Sequence, residues 1–266
     1  MIEGDYEKHK LILHYGFIGV VMGLIHRYVR ESGKTIVLSI DSPRYDINEV
    51  LRIISDTSDL VAAYKIGLPY ILHYGVRQVS RITKEYPDLY FIADLKLADI
   101  GSVMTLSVSE AFNAGFKGVT AHAFVGVSGA LDEVVKRCRN LGIDLILQTT
   151  MTNPGSISTI DKLIPELKTI LNTIDPDALI AAANKPDVIR DLRTSMGWKY
   201  IIISPGIMIG AVHPGEALCS GADTEMVGRL VLSSPSPRKA LEDIIEIQLK
   251  YLNEKGDYCL RREKNM

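Results

Sequence analysis

The chain has 266 residues, 47% of them hydrophobic, and a formal net charge of -2. That small charge excludes a general nucleic-acid or acidic-membrane partner and points to a small-molecule site. The length suits one large domain, close to the roughly 250 residues of an eightfold β/α barrel.

At the N-terminus, residues 11–29 are apolar, but His14, His26 and Arg27 interrupt them. Glu3, Asp5 and Glu7 stand where a signal peptide carries its basic region, and no small-residue cleavage site follows. Residues 1–32 therefore read as a helical extension packed over one end of the core, with no membrane role. From residue 33 onward short β-branched runs alternate with helical spacing of apolar residues. Strands are predicted at 35–40, 60–66, 89–93, 118–121, 144–148, 178–182, 200–203 and 224–227. Helices are predicted at 71–86, 103–114, 128–141, 160–171, 187–196 and 237–253. Eight parallel strands with crossovers make a (β/α)8 TIM barrel over residues 33–254, whereas fewer would make a doubly wound sheet. Residues 255–266 read as a polar, solvated tail. Cys138, Cys219 and Cys259 are odd in number and lack C-x-x-C or metal-ligand spacing. They read as three inert small hydrophobes in a reducing cytoplasm, with no disulfide.

The most informative stretch is Ala93-Asp94-Leu95-Lys96-Leu97-Ala98-Asp99-Ile100, which follows an apolar strand. Alternation puts Asp94 and Lys96 on one face, and Asp99 is reached only after a turn. A lone Asp-x-Lys is commonly a structural ion pair, but other strands end in the same way. Asp41 closes the first strand, Lys65 nearly closes the second, His122 closes the fourth, and Thr150 and Thr152 follow the fifth. Polar groups gathered at the carboxyl ends of barrel strands mark a catalytic mouth. Ser204-Pro205-Gly206 after the seventh strand and Gly228-Arg229 after the eighth add backbone N–H groups and a guanidinium, which suits a phosphate. His122 reads as a strand cap or a loop-orienting group.

Asp41 in LSID, Lys65 in YKIG, the DLKLADI run, Ser204-Pro205-Gly206 and Gly228-Arg229 together resemble the orotidine 5'-phosphate decarboxylase family, which completes de novo UMP synthesis. The resemblance runs in order from about residue 35 to about residue 229. It implies a homodimeric (β/α)8 barrel that converts orotidine 5'-phosphate to UMP and CO2 without metal or organic cofactor. It also implies that Asp41 and Lys65 hold ribose hydroxyls and join a charge chain with Asp94 and Lys96. Asp94 would lie against the substrate carboxylate, and Lys96 would protonate C6 as CO2 leaves. Asp99 and Ile100 would enter the neighbouring subunit's site, Thr152 would contact the pyrimidine, and Pro205, Gly206, Gly228 and Arg229 would bind the phosphate. Three features depart from the family's pattern. Gly101-Ser102-Val103 replaces Pro-x-Thr, the stretch from Ile207 to His213 diverges, and that stretch lacks the usual glutamine.

Two alternatives accompany this reading. One is a Mg2+-dependent phosphosugar enzyme of the hexulose-phosphate synthase or ketogulonate-phosphate decarboxylase type. Those enzymes carry an acidic residue where this chain has Lys65, and a cation there would repel the metal. The other is a non-catalytic UMP-binding barrel, which retention of Asp41, Lys65, Asp94 and Lys96 argues against.

Overall fold

A computed structural model describes residues 22–207 and 212–260. Eight strands form a closed, all-parallel barrel in sequence order. They are β1 (Ile36–Ile40), β2 (Ala63–Gly67), β3 (Phe91–Leu97), β4 (Gly118–His122), β5 (Asp144–Gln148), β6 (Ala178–Ile180), β7 (Ile201–Pro205) and β8 (Thr224–Val227). The ring closes where Val37 of β1 pairs with Met226 of β8. Strands buried on both faces require near-continuous apolar runs, and IVLSI in β1 is buried throughout. Each predicted strand overlaps an observed one, and β5 and β8 share the predicted bounds.

A short turn of helix, α1 (Leu24–His26), leads into a π-helical turn at Arg27–Glu31. The helices that follow are α2 (Ile47–Thr57), α3 (Leu68–Tyr74), α4 (Val76–Glu85), α5 (Gly101–Asn113), α6 (Asp132–Leu141), α7 (Ile164–Ile174), α8 (Pro186–Met196), α9 (Glu216–Cys219), α10 (Arg229–Leu232) and α11 (Pro237–Lys255). The predicted helix 71–86 is two helices, because Gly75 takes φ 76° and ends α3. α2, to which the sequence analysis assigned no element, is fixed by a capping box between Asp46 and Glu49.

The barrel interior holds Val37, Ala63, Ile92, Ile146, Ile180, Ile201, Ile203 and Met226. Ile25 and Val29 of the N-terminal segment join this cluster. At the amino ends of the strands, buried Asp144 accepts hydrogen bonds from the backbone N–H of Leu24 at 2.9 Å, that of Ile25 at 2.6 Å and the Tyr90 hydroxyl at 2.7 Å. Arg30 reaches Asp223 at 3.0 Å, and Arg193 reaches the same carboxylate at 2.5 Å. The N-terminal segment thus closes the barrel floor and leaves the opposite end open. Residues 1–21 of the expected extension and 261–266 of the expected tail lie outside the described residues. No helix among the described residues is long and apolar enough to cross a membrane.

One expectation is overturned: Cys219 and Cys259 form a disulfide, and Cys138 alone is free and buried. Their parity and 40-residue separation conceal the pairing. It depends on α11 running back along the barrel, so that the tail reaches α9. Residues 256–260 are correspondingly held down, with the Leu260 N–H donating to the Cys219 carbonyl at 2.9 Å.

Candidate active site

Strand register assembles the open end of the barrel. Ser39 pairs with Lys65 between β1 and β2, Gly67 with Asp94 between β2 and β3, and His122 with Gln148 between β4 and β5. Parity then directs Asp41, Lys65, Asp94 and Thr120 into one cluster. Lys65 Nζ donates to Asp41 Oδ1 at 2.5 Å and lies 3.2 Å from Asp94 Oδ2. Lys96 Nζ donates to Asp94 Oδ2 at 2.5 Å. Ser39 Oγ donates to Asp41 Oδ2 at 2.7 Å. A Cβ on Gly67 would lie 1.9 Å from Asp41 Oδ1, so only glycine admits that carboxylate over the end of β2.

Lys96 reaches Asp94 by a different route from simple alternation. Its backbone has φ 48°, and the β3–β4 register shifts between Ala93 and Leu97. The bulge is held by Thr120, whose Oγ1 accepts from the Lys96 N–H at 2.9 Å and donates to Asp94 Oδ1 at 2.9 Å. One β4 hydroxyl thereby fixes both the lysine backbone and the carboxylate its side chain binds.

The side chains of Lys65 and Asp94 are 5% and 6% exposed, whereas those of Lys96 and Asp41 are 40% and 53% exposed. A buried ion pair therefore underlies a solvent-open rim of one more cation and one more anion. Burial works to raise the Asp94 carboxyl, but the Lys65 and Lys96 charges and the Lys96 and Thr120 hydrogen bonds outweigh it, holding it below the usual carboxylate range. Burial first, then the Lys96 charge, pushes the His122 imidazole down. His122 is buried, its ring lies 4.7 Å from that of Phe124, and its Nδ1 has no hydrogen-bond partner. Such a cluster presents a preorganised ammonium beside a carboxylate, able to stabilise and then protonate developing negative charge. Among the described residues no group of three or more His, Cys, Asp or Glu side chains could hold a metal ion.

Asp99 and Ile100 lie past the strand end, exposed, and take no part in the ion pairs of this cluster among the described residues. Thr150 is buried, its Oγ1 accepting from the Ala182 N–H at 2.7 Å, whereas Thr152 is exposed at the rim. Pro205 ends β7, and Gly206 turns with φ 109°, where a Cβ would come within 2.9 Å of Thr152 Cγ2. Gly228 caps α10, which Arg229 begins, exposed at the mouth. Of the divergent stretch, residues 208–211 lie outside the described residues.

Sequence reasoning missed three contributors. Ser39 and Thr120 were legible by parity, each lying two residues before a residue already singled out. Glu225 had no such signal: it sits on the outer face of β8, fully buried, and accepts from the N–H groups of Gly215, Ala217 and Leu218 and from Gln248. Burial raises its carboxyl against those donors. It anchors α9, just downstream of the divergent stretch.

The model of the orotidine 5'-phosphate decarboxylase / HUMPS family matches residues 34–244. The chain is 34% identical over 223 residues to the orotidine 5'-phosphate decarboxylase of Aeropyrum pernix, covering 82% of this chain and 90% of that one. It is 37% identical over 213 residues to that of Sulfurisphaera tokodaii, covering 80% and 95%. The crystal structure of orotidine 5'-monophosphate decarboxylase from Metallosphaera sedula superposes with a TM-score of 0.72 at 33% identity, over 82% of this chain and 98% of that one. A match of this extent, on a closed barrel with the Asp-x-Lys-x-x-Asp-Ile run at its mouth, leads to one conclusion: the chain belongs to the orotidine 5'-phosphate decarboxylase / HUMPS family.

Proposed function

We propose that this chain decarboxylates orotidine 5'-phosphate to UMP without a metal or organic cofactor, with Lys96 as the general acid. The observation that carries the reading is the Asp41–Lys65–Asp94–Lys96 chain, closed by contacts of 2.5, 3.2 and 2.5 Å at the barrel mouth. Loss of CO2 from C6 leaves an electron pair on a ring carbon that delocalises it poorly. An ammonium already placed there stabilises that charge and then supplies a proton. Asp94, beside the departing carboxylate, favours its exit and holds the Lys96 side chain in place. Lys65 offsets the buried Asp94 charge and, with Asp41, faces the ribose.

Pro205, Gly206, Gly228 and Arg229 bind the phosphate, and Thr152 contacts the pyrimidine. Binding energy from these remote groups is available for the reacting carbon. The Lys65 ammonium lies against both carboxylates and so disfavours a divalent ion, which supports this reading over a Mg2+-dependent phosphosugar reaction.

The same reading makes the protein a homodimer, with Asp99 and Ile100 completing the partner's site. Ile100 is 60% exposed, Leu72 74% and Leu106 68%, and these lie on segments that follow the adjacent strands β2 and β3. Apolar exposure of this kind beside a mouth suits a second copy. Residues 22–32 form an extension on the floor of the catalytic barrel of residues 33–254, and the protein is placed in the cytoplasm. A disulfide there has precedent among intracellular proteins of hyperthermophiles.

The test follows the ultraviolet absorbance of orotidine 5'-phosphate with purified protein after EDTA treatment, beside Lys96→Ala. Metal-free turnover that falls by about 10²- to 10⁴-fold in the variant is expected. Turnover that needs Mg2+, or that survives in Lys96→Ala, contradicts the mechanism.

A further inference from the structure

Three consecutive residues after β6 join the loop that carries Thr152 to the turn that carries Gly206. The Ala183 N–H donates to the Pro205 carbonyl at 2.8 Å. Asn184 Nδ2 donates to the Thr152 carbonyl at 3.0 Å. Lys185 Nζ donates to the Met151 carbonyl at 2.6 Å, to Ser156 Oγ at 2.5 Å and to Asp161 Oδ2. The peptide carbonyls before and after Thr152 are thus both held from this one segment, while Thr152 Cγ2 packs against the Gly206 turn.

Lys185 has three N–H donors and uses all three on the β5 loop. Its side chain is 12% exposed and that of Asp161 is 13% exposed, so the pair is largely shielded from water. Asp161 Oδ1 is buried without a hydrogen-bond partner, which leaves that carboxylate dependent on Lys185 for its charge balance. Residues 152–158 carry one large apolar side chain, Ile157, which is exposed, and only Ser156 among them is buried, so the loop has little packing of its own to order it. An ammonium spanning its two ends supplies that order.

We infer that Lys185 is a positioning residue: it presets the Thr152 loop and couples it to the phosphate-side turn, so that the pyrimidine and phosphate contacts are ordered together before ligand arrives. The inference rests on the decarboxylase reading for the identity of what Thr152 and Gly206 touch. Lys185 meets no reacting atom and acts through Thr152. Without it the ordering of the loop falls on binding, so the loss appears in KM more than in kcat.

The experiment compares wild type, Lys185→Met, Lys185→Arg and the paired Lys185→Met/Asp161→Asn, which removes the orphaned carboxylate should the single variant not fold. Each is assayed alone and with Thr152→Ala, and amide hydrogen exchange is followed across residues 151–156. Lys185→Met, or the paired variant in its place, is expected to raise KM for orotidine 5'-phosphate about tenfold, the scale of ordering one or two side chains on binding. The Thr152→Ala effect should shrink in that background, exchange at 151–156 should quicken, and arginine should restore part of the loss. A KM within twofold of wild type, or effects of Lys185→Met and Thr152→Ala that simply multiply, overturns the inference while the wild type still turns over. A wild type that does not decarboxylate overturns the functional reading instead, and exchange across 151–156 then decides whether Lys185 clamps the loop.

Discussion

Lys65 Nζ sits 2.5 Å from Asp41 Oδ1 and 3.2 Å from Asp94 Oδ2, so one buried ammonium bridges the ends of β1 and β3 from β2 between them. Lys65→Met should therefore affect both stability and chemistry. Removing one partner of a buried pair costs about 3–5 kcal/mol, and Asp94 would lose the larger of the two lysine charges that hold it down and drift back towards the usual carboxylate range. A lowered urea midpoint together with a kcat/KM reduced by about 10³-fold is expected. Denaturation and steady-state assays on one preparation check both.

Thr120 touches no substrate in the proposed mechanism, yet it holds the Lys96 N–H and Asp94 at once. Thr120→Val keeps the shape and removes both hydrogen bonds. We expect kcat to fall by about 10- to 100-fold with KM little changed, because the ammonium loses its placement rather than its charge. A fall in kcat no larger than twofold would mean that Lys96 finds its position without the bulge.

Arg229 stands at the remote end of the ligand in this reading. Its removal as Arg229→Ala costs a charge-assisted hydrogen bond, about 1.5–3 kcal/mol, and should be expressed chiefly in KM. Lys96→Ala should be expressed in kcat. Side-by-side Michaelis curves distinguish the two; a larger kcat loss for Arg229→Ala than for Lys96→Ala would reverse the assignments.

The barrel floor has its own pH signature. Burial, then the neighbouring Asp144 charge, pushes the Asp177 carboxyl up towards neutrality. A raised folded-state value means that the native protein holds the proton after the unfolded chain has released it. The associated stability is fully present below about pH 4, the ordinary carboxylate range. It is lost as pH rises towards neutrality. Asp94, held low, works the other way and loses its contribution only in acid. Asp177→Asn should raise Tm at pH 8 and flatten the decline of Tm between pH 5 and pH 8, as scanning calorimetry would show.

The Cys219–Cys259 disulfide closes a 40-residue loop. Chain-entropy arguments assign about 4 kcal/mol to a loop of that size. Cys259→Ser should lower Tm by roughly 10 °C while leaving turnover at 25 °C unchanged, since the bond lies outside the mouth.

What the sequence made legible was whatever strand parity and strand ends determine. The eight β-branched runs were found because strands buried on both faces need them, and Asp94, Lys96 and Lys65 were found because charges stand at the ends of such runs. Thr120 and Ser39 went unmarked because an inward hydroxyl looks like ordinary strand composition until its partner is known. The Lys96 bulge, at φ 48°, cannot be read from a residue that is not glycine. Glu225 and Lys185 act across turns and helices, where sequence distance says nothing about proximity. The disulfide was missed for the same reason, with an odd cysteine count adding a misleading parity.

That disulfide also alters how the molecule responds to force. The covalent ring between Cys219 and Cys259 contains β8, the Gly228–Arg229 strand end and all of α11. A chain stretched from its ends would gain roughly 140 Å less contour than its residue count allows, because this ring cannot be drawn out. Under mechanical load the eighth strand and its helix would leave the barrel as one closed hoop, with Arg229 still tethered near the root from which it must re-dock.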